Sequence, residues 1–158
     1  MCAVFQKPKV LLVEDSEDDA FFFFRSLKKT GISCDCVHVC DGGAATIYLR
    51  ENQNIPHLVF LDVKMPVLSG FEVLKWVQGQ SFKSRMEIII LSGSCNSNDV
   101  AEAQGLGASG YIVKPVSVPE LTQSIRMWLD KVGPLLNSFA TLNTEAVKTR
   151  FQRPAHSA

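Results

Sequence analysis

At 158 residues, 46% of them hydrophobic and 20% charged, the chain has the composition of one globular domain with enough apolar material to bury a core. Sixteen basic residues balance sixteen acidic ones, so no global field favours nucleic acid or an anionic membrane surface, and any charge-driven function has to be local. No stretch approaches the ~18 apolar residues of a spanning helix and the first residues lack a basic segment leading into an apolar core. Five cysteines without CxxC spacing suit a reducing compartment. A cytoplasmic protein is expected, with neither nucleic acid nor membrane among its partners.

Residues 9–13, Lys-Val-Leu-Leu-Val, are a near-continuous aliphatic run and predict a strand buried on both faces, as in the centre of a parallel sheet. Ser16 then caps a helix over residues 17–30, with three acids in its first turn, Lys28 and Lys29 in its last, and Gly31 as its stop. A strand follows at 35–39. Cys34, Cys36, His38 and Cys40 alternate there and would share one strand face, which admits a zinc site. Adjacent same-face residues rarely close a tetrahedron, so a buried, unreactive thiol row is the favoured reading.

The pattern repeats with a helix near 43–51, a strand ending at Leu61, a helix near 71–78, a strand at 87–91, a short helix near 99–104 and a strand at 110–113. A last helix over 119–132 lines up Leu121, Ile125, Trp128 and Leu129 and is expected to stop at Gly133-Pro134. Five strands separated by helical segments predict a doubly wound α/β fold, a five-stranded parallel sheet with helices on both faces. That unit occupies residues 8–132. Residues 133–158 read as a mostly disordered tail with a helical turn near Glu145.

Ligands of such sheets bind beyond the carboxyl ends of the strands, where four chemically distinct signals fall: Glu14-Asp15, Asp62, Ser92 and Lys114. Singly, each has an ordinary explanation as a cap, a turn residue or a solvated lysine; together they describe one site. Converging carboxylates repel one another and call for a cation. Magnesium favours oxygen ligands and bridges carboxylates to phosphate, which makes Asp15 and Asp62 the expected direct ligands and Glu14 a ligand through water. Asp62 is then a competent nucleophile toward phosphorus, with the metal, Lys114 and Ser92 spreading the phosphoryl charge.

These residues resemble the receiver domains of two-component response regulators, of the single-domain chemotaxis-regulator type. The resemblance rests on Val-Glu-Asp-Ser at 13–16, Leu-Asp-Val-Lys-Met-Pro at 61–66, Leu-Ser-Gly-Ser at 91–94 and Gly-Tyr-Ile-Val-Lys-Pro at 110–115. It implies a flavodoxin-like sheet of order 2-1-3-4-5 and phosphorylation of Asp62 by a sensor histidine kinase or a histidine phosphotransfer protein. It also implies Mg²⁺ on Asp15, Asp62 and the backbone carbonyl of Lys64. Ser92 and Tyr111 would be the switch pair, Lys114 would pair with the phosphoryl group, and Pro115 would be a cis-proline. With no motif of a DNA-binding or cyclase module after residue 132, the output is expected to be docking of a downstream protein.

Three other readings use the same residues. A phosphohydrolase with an Asp nucleophile would want a general acid two residues on, where Lys64 stands. A pseudo-receiver would bind partners without chemistry, and a phosphorelay intermediate would use the site in the same way as a terminal regulator.

Phe21-Phe22-Phe23-Phe24 adds one further expectation. Four successive helical residues turn through about 300°, so they cannot all face one core. An inward stripe of Ala20, Phe23, Phe24 and Leu27 would put Phe22 about 150° from its centre, free to dock the phosphodonor's helix or, less favoured, a second copy of the chain.

Overall fold

The computed structural model describes residues 6–51, 55–114 and 116–149, the stretch 135–149 as backbone alone. Strands β1 (Lys9–Val13), β2 (Asp35–Val39), β3 (Leu58–Asp62), β4 (Glu87–Ser92) and β5 (Gly110–Val113) alternate with helices α1 (Glu17–Lys29), α2 (Gly42–Glu51), α3 (Gly70–Gln78), α4 (Ser97–Gly105) and α5 (Val118–Thr149). All four pairings are parallel and the order is β2-β1-β3-β4-β5, as expected. A 3-10 turn at Lys83–Arg85, which periodicity does not reveal, leads into β4.

The strand pleat sorts the core into two layers. Val10 and Leu12 of β1, Leu58 and Phe60 of β3, and Ile89 and Leu91 of β4 pack with Ala20, Phe23 and Leu27 of α1 and with Leu121, Ile125, Trp128 and Leu129 of α5. The intervening residues Leu11, Val13, Val59, Leu61, Ile88 and Ile90 pack with α2, α3 and Ala103 of α4. Asp62, Glu14 and Lys114 fall on the α1/α5 parity, whereas Ser92 and Tyr111 fall on the other.

Local sequence explains the helix starts. Ser16 accepts a hydrogen bond from the Asp19 N–H at 3.3 Å, and Ser69 forms a reciprocal capping box with Glu72. Gly70 opens α3 directly against the end of β3, where a Cβ would lie 2.3 Å from the Asp62 carbonyl. Only glycine allows that approach.

Two expectations need correction. The last helix does not stop at Gly133-Pro134 but runs to Thr149. Proline removes one intrahelical donor and costs roughly 3 kcal/mol, yet residues 135–149 contain no further glycine or proline to end the helix. The inward stripe of α1 is Ala20, Phe23, Ser26 and Leu27, so Phe24 is not part of it. The reason is α5, which packs on the Ser26 side, with the Thr122 hydroxyl donating to the Ser26 carbonyl at 3.4 Å. The buried arc therefore swings away from Phe24, which meets His38 edge-on at 5.9 Å. On a 100° wheel the arc's centre lies about 150° from Phe21, 110° from Phe22 and 90° from Phe24. Their exposures, 64%, 48% and 37%, follow that order.

Candidate metal and phosphoryl-acceptor site

Parallel register brings the strand ends level. Val13 pairs with both Val39 and Leu61, Asp62 with Leu91, and Ser92 with Val113. The ladder runs one residue further at both sides of the site, the Glu14 N–H donating to the Val39 carbonyl at 3.1 Å and the Lys114 N–H to the Ser92 carbonyl at 2.6 Å. Glu14, Asp62, Ser92 and Lys114 are thus the first residues beyond, or the last within, four neighbouring strands.

The ionic half of the site lies on the α1/α5 side. The Lys114 ammonium donates to Glu14 Oε2 at 2.6 Å, Asp19 Oδ2 at 2.7 Å and Asp62 Oδ1 at 2.8 Å, so its three N–H bonds are all matched. Glu14 and Asp62 are buried and Asp15 is exposed. One carboxylate oxygen from each of Glu14, Asp15 and Asp62 lies within 4.8 Å of the others, the one group of metal-ligating side chains of this kind among the described residues. An all-oxygen, all-anionic donor set of that span fits a hard divalent cation that keeps some of its waters.

Electrostatics agree with that geometry. Burial pushes the Glu14 carboxyl above the ordinary range, against the Lys114 hydrogen bond that favours its charged form, and the neighbouring Asp62 adds to the rise. Burial alone would push the Lys114 ammonium down, but its hydrogen bonds to Asp19, Asp62 and Glu14 outweigh it and hold the group above the usual lysine value. Lys114 is therefore a cation throughout the neutral range, while burial works against the charge on Glu14 beside it.

The hydroxyl half occupies the opposite parity. Ser92 is buried and its Oγ accepts from the Ser94 N–H at 3.1 Å. Tyr111 is half-buried against the α2–α4 layer, and its hydroxyl donates to the Ser94 carbonyl at 3.0 Å. The 93–96 turn is thereby tied at both ends of one residue. Lys64 is exposed in the loop after β3, in which Val67 takes φ +69°, a backbone region that a β-branched residue rarely adopts. The expected cis-proline, Pro115, lies outside the described residues.

Sequence reasoning missed Asp19. Its signal was present, one of three acids in the first turn of α1, but a helix dipole accounts for such acids without any partner. The alternating thiol row divides instead of acting together. Cys34 and Cys36 pack against the α1/α5 layer, whereas Cys40 is exposed, so it does not belong to a buried row. His38 is half-buried and joins its Nε2 to the Glu14 carbonyl at 2.8 Å.

Comparison with known proteins places this geometry. The response regulator Rcp1 of Synechocystis sp. is 31% identical over 135 residues, 79% of this chain and 92% of that one. The longer phosphate regulon transcriptional regulatory protein PhoB of Rhizobium meliloti is 30% identical over 80% of this chain, which spans 54% of its length. The phosphorylated cyanobacterial phytochrome response regulator RcpA superposes with a TM-score of 0.70 at 29% identity, covering 77% of this chain and 91% of that one. The Mn²⁺-bound form of Rcp1 superposes with a TM-score of 0.68 at the same identity, covering 76% and 90%. The model of the response regulator receiver domain matches residues 10–126, and with the sheet order and the acidic pocket in agreement, the chain belongs to the receiver-domain family of response regulators.

Proposed function

We propose that this chain is a single-domain response regulator, its receiver unit spanning residues 8–132, which accepts a phosphoryl group on Asp62 from a phosphohistidine of a sensor kinase or histidine phosphotransfer protein. The observation that carries the reading is the convergence of Glu14, Asp15, Asp62 and Lys114 at one sheet edge. An Asp62 carboxylate oxygen attacks phosphorus. The O–P bond forms as the N–P bond of phosphohistidine breaks, and the imidazole leaves with the bonding pair and takes a proton from solvent. Asp15, Asp62 and the Lys64 carbonyl would hold Mg²⁺ directly and Glu14 through water. When bound, that ion would supply the positive charge that offsets repulsion of the incoming phosphoryl group by the carboxylates.

Lys114 pairs with the phosphoryl group from one side and the Ser92 hydroxyl from the other. Drawing Ser92 toward the acyl phosphate competes with its bond from the Ser94 N–H, and Tyr111 is bonded to the same residue. This is the route by which phosphorylation shifts the α4–β5–α5 face, where a downstream protein docks. Phe22, with the Phe21 ring edge-on at 6.1 Å, offers the phosphodonor an apolar contact on the flank that α1 shares with α5.

The experiment is labelling with a small phosphodonor, with and without Mg²⁺. Asp62 becomes modified only with the metal, and Asp62→Asn abolishes it. Full labelling in excess chelator, or persistent labelling of the mutant at position 62, overturns the assignment. Phe22→Ala leaves small-donor labelling intact and slows transfer from the cognate phosphohistidine protein severalfold; unchanged transfer rates leave Phe22 without a docking role.

A further inference from the structure

The Lys114 ammonium touches Glu14 and Asp62 at 2.6 and 2.8 Å, and these are two of the three carboxylates that form the metal-capable group. The ammonium and a divalent cation therefore draw on the same oxygens. Like charges at such range repel strongly in a partly buried pocket, so a cation entering among Glu14, Asp15 and Asp62 drives Lys114 outward along whatever anion remains. One remains. Asp19 Oδ2 lies 2.7 Å from the same Nζ, belongs to no metal-capable group among the described residues, and has a side chain 44% exposed at the rim.

Its position is fixed by the fold. The Asp19 backbone N–H is bonded to the Ser16 cap, which sets the carboxylate in the first turn of α1 just outside the pocket. The ordinary account, an acid complementing the helix dipole, explains Glu17 and Asp18 equally well. It does not explain a 2.7 Å contact with a lysine 95 residues away.

We propose that Asp19 is a positioning residue, a berth that retains the Lys114 ammonium at the rim when a divalent cation takes over the Glu14 and Asp62 oxygens. The inference rests on the metal and phosphoryl reading above. Without the berth, Lys114 stays among the inner carboxylates and competes with the cation. With it, the lysine is displaced by a short swing and held beside the place where the phosphoryl group arrives.

The test is Mn²⁺ binding to the full chain by titration calorimetry, in a double-mutant cycle of Asp19→Asn and Lys114→Met. Asp19→Asn weakens binding about fivefold in the otherwise unchanged chain and less than twofold when Lys114 is already Met, because no lysine is left to park. Asp19→Glu keeps a carboxylate of similar reach and restores most of the affinity. An equal loss in both backgrounds overturns the berth and leaves Asp19 as one more remote negative charge, and no loss in either background does the same. A wild-type chain that binds no Mn²⁺ overturns the metal reading itself, a different outcome from a bound metal with no coupling.

Discussion

The two halves of the site are built by opposite physics. On the α1/α5 side, three carboxylates are locked to one ammonium, with Glu14 and Asp62 removed from water. On the α2–α4 side, Ser92 and Tyr111 hold the 93–96 turn through two neutral hydrogen bonds to a single residue. Breaking a buried ion pair costs about 3–5 kcal/mol, while a neutral hydrogen bond contributes about 1. The ionic half therefore gives way only to another cation that replaces the ammonium, and the hydroxyl half is soft enough for a ligand's differential contacts to shift it. Phosphoryl chemistry needs the first property and signalling needs the second.

The largest effect should come from breaking the ionic half. Lys114→Met leaves Glu14 and Asp62 as buried carboxylates without their cation, and in chelator at neutral pH the chain should lose about 3 kcal/mol in urea unfolding. The pH dependence has a definite sign. Burial raises the folded-state pKa of Glu14, so protonation favours the folded form, and the deficit should be largest above that raised pKa and narrow as the pH falls through it. Millimolar Mg²⁺ should also recover part of the loss by supplying a substitute cation. A deficit that neither acid nor metal reduces would mean that Lys114 stabilises through packing and not through charge.

An intermediate effect should come from the soft half. Ser92→Ala removes the acceptor of the Ser94 N–H, and a cost of about 1 kcal/mol is expected in the same unfolding measurement. Labelling of Asp62 by a small phosphodonor should survive, yet an acyl-phosphate mimic should no longer move the amide resonances of Tyr111 and Ala101 as it does in the wild type. A loss of labelling as large as that of Asp62→Asn would erase the distinction between the halves.

How far the sequence foretold this arrangement depends on the kind of contact. Strand ends were legible because Val-Leu-Leu-Val, Leu-Val-Phe-Leu and Ile-Ile-Ile-Leu are apolar runs that stop at Glu14, Asp62 and Ser92. Parallel register then places those ends together with no further information. Asp19 was not legible, because its partner is 95 residues away and its local setting has a sufficient explanation in the helix dipole. The Phe21–Phe24 run showed that some rings face outward, but which ones depends on where α5 lies against α1. Ser26 gave no apolar signal that it was core. Pro134 is an ordinary stop signal, yet the absence of any second breaker over 135–149 carries more weight in the fold.

The smallest effect isolates a single hydrogen bond and uses a reporter already in the chain. Cys95 is exposed in the turn that Tyr111 anchors through the Ser94 carbonyl, so its thiol senses how tightly residues 93–96 are held. Tyr111→Phe keeps the ring against the α2–α4 layer and removes only the donor, with an expected cost of about 1 kcal/mol. Loosening the turn should raise the rate of Cys95 alkylation by iodoacetamide at pH 8 two- to threefold, read by peptide mass mapping. Cys36 supplies the control on the same chain, since burial, with Cys34 beside it, pushes its thiol up to about 12 and keeps the reactive thiolate scarce at that pH. The rate at Cys36 should not change. If Cys95 reacts equally fast with and without the Tyr111 hydroxyl, that bond does not restrain the turn, and the softness of the hydroxyl half must reside in Ser92 alone.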